Sequence, residues 1–290
     1  MLEHWVWLSE ALYPGGQAEN EWINYFDSAE EVFGAAKDEI SEIEGIMRSE
    51  LDALCHKKLK RAEEIVKYCG ENEIEIITYK SEKYPQVLKN IYAPPAVIYK
   101  RGSLSDFNGI PMFTIVGTRK STKEGERTAY EFACRLSDAG CTVVSGMADG
   151  IDAAANRGAI AGKTPTVAVL GCGVDVVYPA GNAQLMDDII KNGAVISEFS
   201  PGTKARGHHF PIRNRIMAAL GMGVLVVEAP EKSGALITAN LAAEDGKDVF
   251  AVPGSIYNSN YAGSNNLIKS GCIPVTEVED IVPYLPVHFE

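Results

Sequence analysis

Arg119 and Lys120 stand directly after Gly117 and Thr118, at the end of the apolar run FTIVG (113–117). Arginine offers a planar fork of donors that can grip a phosphate through two parallel bonds, and glycine lets backbone amides approach the same anion. The pattern of small residues recurs down the chain. Ser145, Gly146 and Gly150 frame a turn in SGMADGIDAAANRGA (145–159), Gly171 and Gly173 bracket Cys172, and Gly234 lies in KSGALITA (232–239). From Phe199 to Val227 run 29 residues without Asp or Glu. That stretch holds Lys204, Arg206, Arg213 and Arg215, with Asn214 between the last two, and His208 and His209. Read together, the glycines, hydroxyls and cations point to phosphate as the ligand class.

Other chemistries find no support in the spacing. No G-x-G-x-x-G follows the FTIVG run, which disfavours NAD and FAD, and no G-x-x-x-x-G-K-[ST] exists to carry ATP hydrolysis. The five histidines (4, 56, 208, 209, 288) make no zinc pattern, and G-x-S-x-G is absent. We expect no cofactor, no metal and no catalytic residue. Asp149, Asp152 and Asp175 are the candidate acid/base residues, and Asp152 reads rather as a carboxylate at a helix N-terminus favoured by the dipole.

Residues so scattered in sequence converge only if the elements between them bring them to one rim. FTIVG (113–117), CTVVSG (141–146), TVAVLG (166–171), AVIS (194–197), GVLVVEA (223–229) and DVFAVPG (248–254) are short, apolar and β-branched, as parallel strands buried on both faces are. Between the first two, Ala129, Phe132, Ala133 and Leu136 repeat at helical spacing, and Ser121-x-x-Glu124 has the form of a capping box. The alternation predicts an α/β fold with a Rossmann-like doubly wound, mostly parallel sheet. In such sheets ligands bind beyond the carboxyl ends of the strands, where helix N-termini present free amides. Each glycine turn above occupies that kind of position.

The first third of the chain differs in texture. Residues 1–72 predict a small all-helical domain of three or four short helices, with breaks at Pro14-Gly15-Gly16 and Gly70. Leu51, Leu54, Cys55 and Leu59 share an apolar face, with Ile65 and Val66 further on. Residues 73–110 form a connector with strands at 74–79 and 96–100, and 111–290 form the main domain. The net charge of −12 is concentrated early: residues 1–78 carry 18 acids and 7 bases, a net of −11, which leaves −1 for the remainder. An acidic average therefore does not exclude a phosphate-binding face on the larger part. Six cysteines without a C-x-x-C pair read as core thiols of a reducing compartment. The longest apolar runs are too short to span a bilayer, and the N-terminus has no basic stretch of a signal peptide, so a cytoplasmic chain is expected.

Several segments carry a resemblance. IVGTRKST (115–122), VVSGMADGIDAAANRGAI (143–160), AVLGCGVDVVYP (168–179), ISEFSPGT (196–203), HFPIRNRIMAAL (209–220), VLVVEAPEKSGALITANLA (224–242) and VFAVPGSI (249–256) resemble, in order, the motifs of the DprA/Smf family. The resemblance covers about 111–275. It implies single-stranded DNA binding, protection of incoming strands and loading of a RecA-type recombinase in natural transformation. It also implies a SAM-like helical domain at residues 1–72, a homodimer, and a phosphate contact at Arg119. The chain departs from the family at Asn156, where His is usual, and at YPAGNAQL (178–185), which lacks the basic residues often found there. No extension of winged-helix type is expected before Glu290, so double-strand binding assigned to that extension is not carried over. The competing reading is a nucleotide-binding enzyme of the LOG/lysine-decarboxylase-like group, which cleaves nucleoside monophosphates. SGALITANLAAED (233–245) lacks that group's P-G-G-x-G-T motif, though Glu244 stands near the place of its catalytic Glu.

Overall fold

The eight extended runs read from the sequence all form strands, and they pair into one nine-stranded sheet. A computed structural model describes residues 1–286; His288 lies outside them. The strands are β1 (Glu75–Thr78), β2 (Val97–Gly102), β3 (Met112–Val116), β4 (Thr142–Ser145), β5 (Thr166–Val169), β6 (Gly193–Ser197), β7 (Gly223–Val226), β8 (Asp248–Ala251) and β9 (Ile273–Pro274). Only the two-residue β9 escaped the sequence pattern. The order is β1-β2-β6-β5-β4-β3-β7-β8-β9. Pairing is parallel from β6 through β9 and antiparallel where β1 and β2 extend the edge. Every residue of β3, β4, β5, β6 and β7 is buried, because helices cover both faces.

Six helices precede the parallel sheet: α1 (Leu2–Ala11), α2 (Gln17–Glu21), α3 (Ala29–Gly34), α4 (Lys37–Ser41), α5 (Arg48–His56) and α6 (Lys60–Glu71). The sequence predicted fewer, since helices of five or six residues leave almost no periodic signal. The break at Pro14-Gly15-Gly16 is present, with Gly15 at φ 73°. Gly70 does not interrupt α6, and a side chain there would meet nothing within 4 Å. On an open helix face glycine costs about 1 kcal/mol without ending the helix. The chain turns instead at Lys57, φ 46°, which separates Leu51, Leu54 and Cys55 on α5 from Leu59 at the head of α6.

These helices are not a detached bundle. Trp5, Trp7 and Trp22 are buried in one apolar cluster with Met147, Ala168, Leu170 and Val195 of the sheet region. Trp5 meets Trp22 edge to face, with centroids 5.8 Å apart.

The remaining helices are α7 (Lys123–Asp138), α8 (Ile151–Ala161), α9 (Ala183–Asn192), α10 (His209–Leu220), α11 (Gly234–Glu244) and α12 (Ala262–Lys269). Ala129, Phe132, Ala133 and Leu136 form the buried stripe of α7. Its cap is Thr122, whose hydroxyl accepts from the Gly125 amide, and not Ser121. Ser121 bonds the Glu126 side chain. Among the described residues no helix is long and apolar enough to cross a membrane.

Candidate functional site

β3 pairs with β4 on one side and β7 on the other. The chain leaves β3 toward β4, β5 and β6, then returns across the sheet to β7. This reversal parts the loops after β3 and β7 and opens a crevice at the carboxyl ends of the strands. A cleft of about 560 Å³ occupies it, lined by residues 116–120 after β3, Ala148 and Asp152 after β4, the 205–217 region and residues 230–238. Six of the expected site residues meet here: Gly117, Thr118, Arg119, Arg213, Asn214 and Gly234. Arg119, Lys120, Arg206 and Lys232 line the cleft as exposed cations.

Arg119 is tethered by an aromatic ring. Its guanidinium carbon lies 4.4 Å from the centroid of Phe210, and the same ring packs against Tyr178 at 5.5 Å. Neither aromatic stood out in the sequence. The usable signal was Phe210 sitting inside the acid-free cationic stretch, where an aromatic face can hold a guanidinium or a base. Lys232 likewise belongs to the turn before Gly234 and completes the cationic rim. Thr238 also lines the cleft, and its buried hydroxyl has no hydrogen-bond partner among the described residues.

The other glycines support the site from behind and do not line it. Gly150, at φ 75°, opens α8, and a Cβ there would lie 2.5 Å from the Thr118 carbonyl. Gly171 packs against the Phe210 ring, and Gly173 leaves room for the 200–202 turn. Ser145 is buried and donates to the Ile115 carbonyl at 2.7 Å, which ties β4 to β3. Gly146 supplies a carbonyl to Arg213.

Arg213 is part of the cleft floor rather than a free cation. It is 4% exposed, donates to the Gly146 carbonyl at 2.9 Å, and also reaches the Val169 carbonyl. Asp152 faces it from the first turn of α8, as the dipole argument expected. Burial pushes the Asp152 carboxyl up, and Arg213 opposes that shift. Among the described residues Asp152 is the one acid lining the cleft, and it is 5% exposed.

Arg215 does not reach the cleft. Within the run read as a basic loop, residues 209–220 form the largely buried helix α10, and two helical positions beyond Arg213 the side chain leaves on another face. There Arg215 pairs with Glu198 at 2.5 Å and with Glu19 of α2 at 3.1 Å. All three are buried. Burial drives the Glu19 carboxyl up to about 8, against the pull of Arg215.

Residues tied to other expectations are also placed. Asn156 is fully buried in α8 and donates to Thr166 at 3.0 Å, so it is a core polar contact. Asp175 accepts from Tyr68 and from the Gly202 amide, and Asp149 is exposed. Glu244 is exposed at the far end of α11 and does not line the cleft. That separation removes the geometric support for a nucleotide-cleaving site.

Fold and cleft together define a doubly wound α/β protein with a cationic, glycine-walled crevice at its topological switch point. The model of the family DNA recombination-mediator protein A matches residues 75–286. The chain is 40% identical over 216 residues to the DNA processing protein DprA of Bacillus subtilis, covering 74% of this chain and 73% of that protein. It is 41% identical over 199 residues to the DprA of Streptococcus pneumoniae, covering 69% and 70%. The solved structure of the Streptococcus pneumoniae protein superposes with TM-score 0.84 at 30% identity, covering 100% of this chain and 99% of that one. DNA processing protein A of Helicobacter pylori, solved to describe its single-stranded DNA binding mode, superposes with TM-score 0.66 at 26% identity, over 73% and 94%. This chain belongs to the DprA/Smf family of DNA recombination mediators.

Proposed function

We propose that the cleft binds single-stranded DNA, with Arg119 as the principal phosphate contact and Lys120, Arg206 and Lys232 lining the path of the strand. The observation that carries this reading is the charge arrangement. Four exposed cations surround a cleft in which Asp152, the one acid lining it among the described residues, is buried against an arginine. A single strand suits the geometry, because its unstacked bases leave faces free for aromatic side chains such as Phe210. The single-stranded DNA binding mode described for the Helicobacter pylori protein supports the same assignment.

The protein acts without catalysis, as a cytoplasmic homodimer that protects the strand and passes it to a RecA-type recombinase during natural transformation. Residues 1–72 serve as a SAM-like helical unit, residues 73–110 join it to the sheet, and the Rossmann-like part from 111 onward carries the DNA. Gly117, Thr118, Asn214 and Gly234 shape the cleft wall. Ser145, Gly146, Gly150, Gly171 and Gly173 hold its loops, and Arg213 its floor.

Titration with fluorescent oligo-dT and with duplex of equal length, at several salt concentrations, tests the reading. Tight binding of oligo-dT is expected, with log affinity falling against log salt by about 0.7 per phosphate neutralised. Equal affinity for blunt duplex would overturn it. Release of free base from a nucleoside monophosphate, lost in Glu244→Gln, would restore the enzymatic alternative.

A further inference from the structure

We propose that Glu228 is the positioning residue of the Arg119 loop, holding both of its ends so that the exposed guanidinium is presented in one place. Glu228 follows β7 and is fully buried. Its backbone carbonyl accepts from the Thr118 amide at 2.7 Å, one residue before Arg119. Its side chain reaches the other end of the loop. One carboxylate oxygen accepts from the Thr122 amide and the other from the Thr122 hydroxyl, each at 2.8 Å. The Thr122 hydroxyl accepts in turn from Gly125 at 3.0 Å, so the same carboxylate braces the first turn of α7. Both ends of a five-residue loop carrying two exposed cations are thus held by one residue, through its side chain and its own carbonyl.

The surroundings fit this hold. A Cβ on Gly125 would lie 2.5 Å from the Glu228 carboxylate, so that helix position must be glycine for the carboxylate to enter. The middle of the loop is secured from a third side, where Asn260 donates to the Lys120 carbonyl at 2.8 Å. Arg119 itself is held at its tip by the Phe210 ring. A flexible loop would spread that guanidinium over many positions, and binding would have to reorder it. A backbone fixed beforehand avoids most of that cost.

The arrangement also shows how this fold differs from a nucleotide-binding relative of the same topology. The start of the first helix after the central strand ordinarily receives a phosphate. Here the protein's own carboxylate sits against that turn, which leaves the neighbouring Arg119 as the anion contact. The proposal rests on the reading that Arg119 contacts a DNA phosphate.

A double-mutant cycle on the full chain tests it, with oligo-dT as probe and the thermal midpoint as a check on folding. Glu228→Ala is expected to weaken binding about tenfold, the loss of one charge-assisted contact, and to lower the salt slope by about one phosphate. In an Arg119→Ala background the same substitution is expected to cost nothing further. Glu228→Gln should restore binding: its carbonyl can accept from the Thr122 amide while its amide donates to the Thr122 hydroxyl. An equal loss from Glu228→Ala in both backgrounds, or normal binding by the folded variant, overturns the proposal. Wild type and Arg119→Ala binding alike would remove the phosphate reading itself, a separate result. Should Glu228→Ala fail to fold, Thr122→Val removes one side-chain link and is read in the same cycle.

Discussion

The guanidinium of Arg119 lies 4.4 Å above the ring of Phe210, which joins the loop after β3 to the first turn of α10 across the mouth of the cleft. The pair faces solvent, so a cation–π contact of this kind contributes about 0.5–1 kcal/mol to the fold. Its larger effect is to aim the cation.

Arg119→Glu is expected to remove most oligo-dT binding while leaving the melting curve nearly unchanged, because an exposed cation is replaced by an exposed anion on the strand's path. Phe210→Leu keeps bulk and removes the ring, so a smaller loss of roughly 1 kcal/mol in binding is expected. Fluorescence anisotropy beside circular dichroism checks both. A folded Arg119→Glu variant with normal affinity would make Arg119 an ordinary solvated residue.

Arg213 should respond in the opposite manner. Its substitution by Gln leaves Asp152 and the Gly146 and Val169 carbonyls without their buried cation. Breaking such an arrangement costs about 3–5 kcal/mol. Urea unfolding is expected to show that loss directly, and a variant as stable as wild type would return Arg213 to the list of free phosphate contacts.

The buried Glu19–Arg215–Glu198 cluster sets a pH dependence whose sign is unusual for carboxylates. Burial raises both acids, and Glu19 reaches about 8. A carboxyl whose folded value lies above its unfolded one binds more protons in the native state, so its contribution is fully present below about 4.5 and is lost as pH rises toward 8. Urea midpoints should therefore fall between pH 5.5 and 8 on this account, and fall less in Glu19→Gln. Identical pH profiles for the two proteins would contradict the assignment.

Removal of residues 1–78 tests how far the acidic helices can be separated from the rest. Charge alone predicts that the truncated chain binds DNA as well or better, since a net of −11 leaves with them. Packing predicts otherwise. The deletion strips Trp5, Trp7 and Trp22 from a cluster shared with Ala168, Leu170 and Val195, removes β1, and takes Glu19 from Arg215. Loss of near-ultraviolet dichroism and binding of a hydrophobic dye are expected. A cooperatively melting truncation would show that the sheet stands without its helical cover.

The strands, the α7 stripe and the glycine turns were legible in the sequence because each depends on neighbours a few residues away. β-branched runs, a 3.6-residue repeat and a glycine after a strand are local properties. They were enough to identify the doubly wound sheet and the rim of turns on which Arg119 lies. What decided between Arg213, Arg215 and Arg119 was not local. In the sequence Arg119 follows Gly117 and Thr118 while Arg213 and Arg215 are flanked by Pro211, Ile212 and Ile216, but nothing there pairs Arg215 with Glu19, 196 residues away in the chain. Glu228 likewise appeared only as the residue after an apolar strand, and its role depends on the β3–β7 pairing that sets it between Thr118 and Thr122. Sequence determined which residues could carry charge to the cleft. Tertiary structure decided which charges are neutralised inside the protein and which remain for DNA, because burial and pairing are fixed only when distant segments meet.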